Sequence, residues 1–160
     1  MPADIRFEDW LALTQLYADY ARAVDSGDWD LWPEFFTDDC VYRLQPRENH
    51  ERGFPLATLS FSSKGMLKDR VYGIKETLFH DPYYQRHVVG TPLIREAGGG
   101  RFRCEANYAV FRTKLSEATT VFNAGRYMDT VVQTPLGLKF ASRECIYDSE
   151  MIPNSIIYPI

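Results

Sequence analysis

The stretch RFRCEANYAVFRTK, residues 101–114, reads as one long strand, and two more of similar length follow at about 118–133 and 137–148. Strands in folded domains usually run to about 5–6 residues. Segments this long cannot stay flat and pack well, so they must coil, twist and bulge. Gly125, inside the middle stretch, is the natural bend point. The joints Leu115-Ser116-Glu117 and Thr134-Pro135-Leu136-Gly137 are short enough for antiparallel hairpins.

Ahead of these strands the chain is mostly helical. From Asp4 to about Ser26, the positions Phe7, Trp10, Leu11, Thr14, Tyr17, Ala21 and Val24 follow the spacing of an amphipathic helix. Ser26-Gly27-Asp28 supplies a stop and a new start, with Asp28 as N-cap. A short second helix carries Trp29, Leu31, Trp32, Phe35 and Phe36, with Pro33 near its first turn. Thr37-Asp38-Asp39 reads as a turn, and residues 40–44 as a first strand. Residues 45–61 form a long charged loop, too long to be idle in a compact domain. A third helix is expected from about Ser63 to Leu78, with Met66, Leu67, Val71 and Ile74 inward. Tyr83–Val89 reads as a strand ending at Gly90-Thr91-Pro92, and residues 98–100 as a turn. Helices first and long antiparallel strands after them predict the α+β class, a strongly curved antiparallel sheet wrapped by N-terminal helices.

At 160 residues, 1–160 is expected to be a single domain. With 45% hydrophobic and 14% aromatic residues, the chain has the makings of a core rather than of disorder. The net charge of -4 offers no basic stripe for phosphates, which argues against nucleic acid. No stretch approaches the ~20 apolar residues of a membrane span. Residues 1–6 lack the basic-then-apolar layout of a signal peptide. Cys40, Cys104 and Cys145 are odd in number and widely spaced, which suits reduced thiols and a cytoplasmic location.

Several passages carry a family resemblance. They are Tyr20-Ala21-Arg22-Ala23-Val24-Asp25 leading into Trp32-Pro33-Glu34-Phe35-Phe36, Asp39-Cys40-Val41-Tyr42-Arg43, Arg86-His87-Val88-Val89-Gly90, and Tyr147-Asp148-Ser149-Glu150. In order and in register they resemble the small (beta) subunit of bacterial aromatic-ring-hydroxylating dioxygenases, over nearly the whole chain. Residues 42–49, 80–87 and 148–155 more narrowly resemble the small subunits of salicylate 5-hydroxylases. The resemblance implies an NTF2-like cone and a mainly structural role. It implies a heterohexamer of three small and three large (alpha) subunits. The large subunits would carry the Rieske [2Fe-2S] cluster and the mononuclear iron, with NAD(P)H electrons arriving through a reductase and sometimes a ferredoxin.

The residues can be asked separately whether this chain could perform oxygen chemistry. A Rieske centre needs two Cys and two His on one cluster. Here no cysteine has a histidine near it in sequence. A mononuclear oxygenase iron usually takes two His and one carboxylate. The sole sequence cluster of that kind is His80, Asp81 and His87, where neighbours point to opposite sides and Asp81-Pro82 reads as a turn. No cofactor, metal or catalytic residue is therefore expected in this chain.

The competing enzymatic reading is proton transfer inside the cone, a dehydratase or isomerase using Asp25 and His87, with Tyr20 and Tyr42 as further candidates. Against it stand ordinary structural roles for all four, and an excess of Trp10, Trp29, Trp32, Phe35, Phe36, Met66 and Phe122 that would fill a cavity. Arg86, Arg112, Arg126 and Arg143 are expected to pair with Glu105, Asp129 and Glu144 across the sheet. Gly98-Gly99-Gly100 has no following Lys-Ser/Thr and is not a phosphate loop. The expected subunit interface is Tyr83, Tyr84 and Arg86, residue types enriched at binding hot spots, together with Ile156, Ile157 and Tyr158 of the apolar end.

Overall fold

The computed structural model describes residues 5–152 and 155–160. The expected helix start at Asp4, the reading of residues 1–4 and the Pro153-Asn154 part of the resemblance lie outside the described residues.

Helix α1 spans Phe7–Ser26 and buries Leu13, Leu16, Tyr17, Tyr20, Ala23 and Val24 on one stripe. It ends at Gly27, whose φ of 71° closes the helix with Asp28 N–H bonded to the Ala23 carbonyl. Asp28 does not cap a second helix. The next turn is a single 3₁₀ turn at Trp32–Phe35, with Pro33 in its first turn, and no side chain caps it.

Strand β1, Phe36–Pro46, begins earlier than expected, so Thr37-Asp38-Asp39 is strand rather than turn. The long loop holds a short helix α2, Arg47–Glu51, and strand β2, Leu59–Phe61. Helix α3, Lys64–Tyr72, is capped by the Ser63 hydroxyl, which accepts the Met66 N–H, and runs into a wider π turn at Gly73–Thr77. Leu67, Val71 and Ile74 point inward. Met66 does not. It is 39% exposed, and its sulfur accepts from the Ser62 hydroxyl and main chain.

Then come β3, Tyr83–Val89, β4, Leu93–Gly98, β5, Arg101–Lys114, β6, Thr120–Thr134, and β7, Gly137–Tyr147. The path through the sheet is β2-β1-β7-β6-β5-β3, with β4 also paired to β5. Pairing is antiparallel throughout except between β1 and β7, which run parallel from Val41 opposite Ser142 to Pro46 opposite Tyr147. Bulges interrupt the registers between Val110 and Phe111 and between Thr130 and Val131. At Gly125 a Cβ would sit 1.9 Å from the Ile146 carbonyl oxygen, so only glycine permits β6 to approach β7 there. The sheet closes on α1, and the core lies between them.

Candidate functional site

The inner face of the sheet carries a buried ion pair. Asp129 on β6 and Arg143 on β7 are register partners, and their side chains have no solvent exposure. Arg143 Nε donates to Asp129 Oδ1 at 3.0 Å and Nη2 to Oδ2 at 2.7 Å. Tyr17 from α1 also donates its hydroxyl to this carboxylate. The guanidinium lies 3.9 Å from the Tyr127 ring centroid, 4.0 Å from Phe140 and 4.3 Å from Tyr20. Arginine stays protonated under any condition in which the fold survives, so the bidentate carboxylate is its required partner. Burial raises the phenols of Tyr17, Tyr42 and Tyr127 well above their ordinary value, which keeps them neutral. It also pushes the Cys104 and Cys145 thiols up to about 12.

Residues 155–160 close the mouth of this interior without joining the sheet. Tyr20 and Tyr42 both donate to the Ile160 main-chain oxygen, at 2.8 and 3.1 Å, and Trp32 Nε1–H donates to the Tyr20 hydroxyl. Arg70 Nη2 donates to the Ile156 and Ile157 carbonyls at 3.0 and 2.9 Å. The Tyr158 ring lies between Trp29 and Tyr83, with centroids 4.7 and 4.5 Å away, and its hydroxyl meets His80 Nε2 at 2.7 Å. Trp32, Phe36 and Phe122 are buried as expected of cavity fillers, while Trp10, Trp29 and Phe35 are half-buried.

Asp25 and His87, far apart in sequence, do meet. His87 Nδ1 lies 2.6 Å from Asp25 Oδ1, and because a carboxylate only accepts, Nδ1 carries the proton. The same carboxylate accepts the His87 main-chain N–H at 3.0 and 2.9 Å. That N–H belongs to the edge strand β3, so Asp25 also covers a free sheet edge. His87 Nε2, the atom that would have to reach a substrate, is buried and makes no hydrogen bond among the described residues.

The expected interface residues divide between two faces. On β3 the alternation sends Tyr84, 76% exposed, and Arg86 outward, while Tyr83 turns in toward Tyr158 and Phe122. Ile156 is buried inside its own chain, and Ile157 and Tyr158 are half-buried. Sequence reasoning passed over Val88 and Val121, 57% and 60% exposed, which with half-buried Phe111 extend the outer apolar surface around Tyr84. The alternation along Tyr83–Val89 was the available signal. Among the described residues, no group of three or more His, Cys, Asp or Glu is placed to hold a metal ion. His80 engages Tyr158, Asp81 pairs with Lys114, and His87 is taken by Asp25. The residues here do not fit an iron or iron–sulfur site.

A profile of the SnoaL-like domain family matches residues 6–144. The small subunit of anthranilate 1,2-dioxygenase from Burkholderia cepacia is 32% identical over 151 residues, covering 94% of each chain. The beta 1 subunit of the terminal oxygenase component of terephthalate 1,2-dioxygenase from Comamonas is 29% identical, over 89% of this chain and 93% of that one. Among solved structures, a beta subunit assigned to an aromatic-ring-hydroxylating dioxygenase of Novosphingobium aromaticivorans superposes with a TM-score of 0.86. It is 34% identical, over 94% of this chain and 96% of that one. With the curved sheet closed by α1, these likenesses place the chain in the SnoaL-like, NTF2-like family, among the small subunits of aromatic-ring-hydroxylating dioxygenases.

Proposed function

We propose that this chain is the structural, non-catalytic small subunit of a multicomponent hydroxylase that oxidises an aromatic carboxylate, salicylate first among candidates, to a dihydroxybenzoate. The whole chain acts as one unit in the cytoplasm, joined to a large subunit in an assembly of three of each. The large subunit holds the Rieske cluster and the mononuclear iron, and a reductase, with or without a ferredoxin, supplies electrons from NAD(P)H. The small subunit holds large subunits in a ring so that the cluster of one can feed the iron of the next.

The observation that carries this reading is the division of the surface. The cone interior is filled by the Asp129–Arg143 pair, its aromatic neighbours and residues 155–160, whereas Tyr84, Arg86, Val88 and Val121 lie on the outside of an edge strand and its neighbours. Exposed apolar side chains gathered in one place suit an interface. Anthranilate and terephthalate, in the names of two relatives, are both aromatic carboxylates. Of the two candidate surfaces, Tyr83, Tyr84 and Arg86 on one side and Ile156, Ile157 and Tyr158 on the other, one meets the large subunit and the other a neighbouring small subunit.

The test is co-expression with a large subunit that carries paired Cys/His motifs, followed by NADH-dependent hydroxylation of salicylate, benzoate and anthranilate. The assembled pair should turn over and the lone chain should not. Tyr84→Ala should weaken assembly by about thirtyfold, the scale of a hot-spot truncation. Turnover by the lone chain, or unchanged assembly with Tyr84→Ala, overturns the proposal.

A second reading, proton transfer by Asp25 and His87, draws on their 2.6 Å contact and the unpartnered Nε2. The first reading is preferred because the same carboxylate already serves the β3 edge. A lyase or isomerase activity of the lone chain that His87→Gln abolishes would reverse that preference.

A further inference from the structure

Residues 156–160 are held in an unusual way for buried chain. They pair with no strand, and their main-chain oxygens are taken by side chains: Ile156 and Ile157 by Arg70, Pro159 by Gln85, and Ile160 by Tyr20 and Tyr42. Bonds to main-chain carbonyls depend little on which residues supply them. Any molecule presenting oxygen atoms at the same places would satisfy the same donors.

Arg70 points to the sign of that molecule. Its guanidinium forms no ion pair among the described residues, its Nε is buried without a partner, and only neutral carbonyls meet its Nη2. A half-buried cation left with dipoles alone is short of an anion, and a carboxylate matches guanidinium geometry best. The Tyr158 ring shows what lies beside the anion, since it stacks on Trp29 and packs at a 40° tilt against Tyr83. Deeper in, two phenol hydroxyls converge on one oxygen, that of Ile160.

We propose that the cleft filled by residues 156–160 is a binding site for a small aromatic carboxylate, and that this segment is a strap which occupies the site until such an acid displaces it. The carboxylate takes the place of the Ile156 and Ile157 carbonyls at Arg70. The ring takes the Tyr158 slot, and a ring substituent with an oxygen reaches Tyr20 and Tyr42. Strap and ligand exchange on the Arg70 donors, so opening of the site is coupled to ligand binding. This inference does not depend on the assembly proposed above.

The test uses the full chain and benzoate, followed by NMR of the Trp29 and Trp32 indole N–H groups and by amide exchange. Benzoate should shift the Trp29 resonance saturably and speed exchange of the Tyr158 and Ile160 amides about tenfold, leaving β6 and β7 protected. Benzyl alcohol, which lacks the charge, and cyclohexanecarboxylate, which lacks the flat ring, should each bind at least about tenfold more weakly. Tyr158→Ala should tighten benzoate binding by weakening the strap, and Arg70→Gln should weaken it about tenfold. If Tyr158→Ala does not fold, wild type against Arg70→Gln decides. The proposal fails if benzoate gives no saturable shift up to its solubility limit, or if binding is indifferent to Arg70→Gln.

Discussion

Asp129 and Arg143 face each other across β6 and β7 through two hydrogen bonds, of 3.0 and 2.7 Å, with both side chains sealed from solvent. Removing one member of such a pair strands the other charge in a place water cannot reach, which typically costs about 3–5 kcal/mol. Asp129→Asn should therefore lower the unfolding free energy obtained from urea titration by that amount. The double variant Asp129→Leu, Arg143→Met should recover much of the loss, because it strands nothing. A single-variant loss below about 1 kcal/mol would mean that the pair contributes little.

Gly125→Ala should abolish the native fold or destabilise it by more than about 4 kcal/mol, the range reserved for severe core disruption. The added carbon would meet the Ile146 carbonyl oxygen at 1.9 Å and the Tyr147 Cα at 2.7 Å, both main-chain atoms that cannot step aside. Gly98→Ala is the control. Nothing lies within 4 Å of its Cβ position, and it should unfold close to wild type.

Burial raises the Cys40 thiol to about 11 and those of Cys104 and Cys145 to about 12, from 9.0. A raised pKa in the folded state means that stability from these groups is complete below about pH 9 and is lost as pH climbs toward 11–12. Native chain should thus resist iodoacetamide at pH 8, all three thiols reacting only after denaturation. Unfolding free energy should fall on the alkaline side, and Cys104→Ala, Cys145→Ala should flatten that fall. Rapid labelling of any of the three in native protein would contradict this.

Asp25→Ala should cost about 1–3 kcal/mol, the scale for a buried donor left unpaired, because the His87 N–H and Nδ1–H lose their acceptor together. Amide exchange should quicken first along β3, with β6 and β7 holding. In an assembled hydroxylase, turnover per complex should stay unchanged. A fall in turnover with normal stability would give Asp25 a chemical role.

Much of the fold was legible, and the exceptions have physical causes. The β5 boundaries fell where glycine and charge punctuation put them, because a strand of fourteen residues leaves little ambiguity. Strand β4 was missed since only Ile94 is fully buried along Leu93–Gly98, too little for a periodic signal. Thr37-Asp38-Asp39 has turn chemistry, and the three residues fall in the irregularity between the Phe36–Phe140 and Val41–Ser142 register points; they are strand because β7 holds β1 on either side of them. Asp25 and His87 could be named as candidates from sequence, but their contact depends on how α1 lies against β3. The Asp129–Arg143 pairing was expected as one member of a charged ladder across the sheet. Its burial hangs on the bulge between Thr130 and Val131, without which Asp129 would face Ser142, and no residue there announces it.

The parallel junction between β1 and β7 has a further consequence. Apart from the short β2, residues 36–46 find their sheet neighbour in residues 137–147, roughly a hundred positions downstream, and contacts so distant in sequence slow folding. While the polypeptide is being made, β1 has only β2 to lean on until the last long strand has left the ribosome. Until then its inward side chains, Tyr42 and Leu44 among them, lack their final cover. A newborn chain is most exposed to mispairing in that interval, and a waiting partner or chaperone would do most good there.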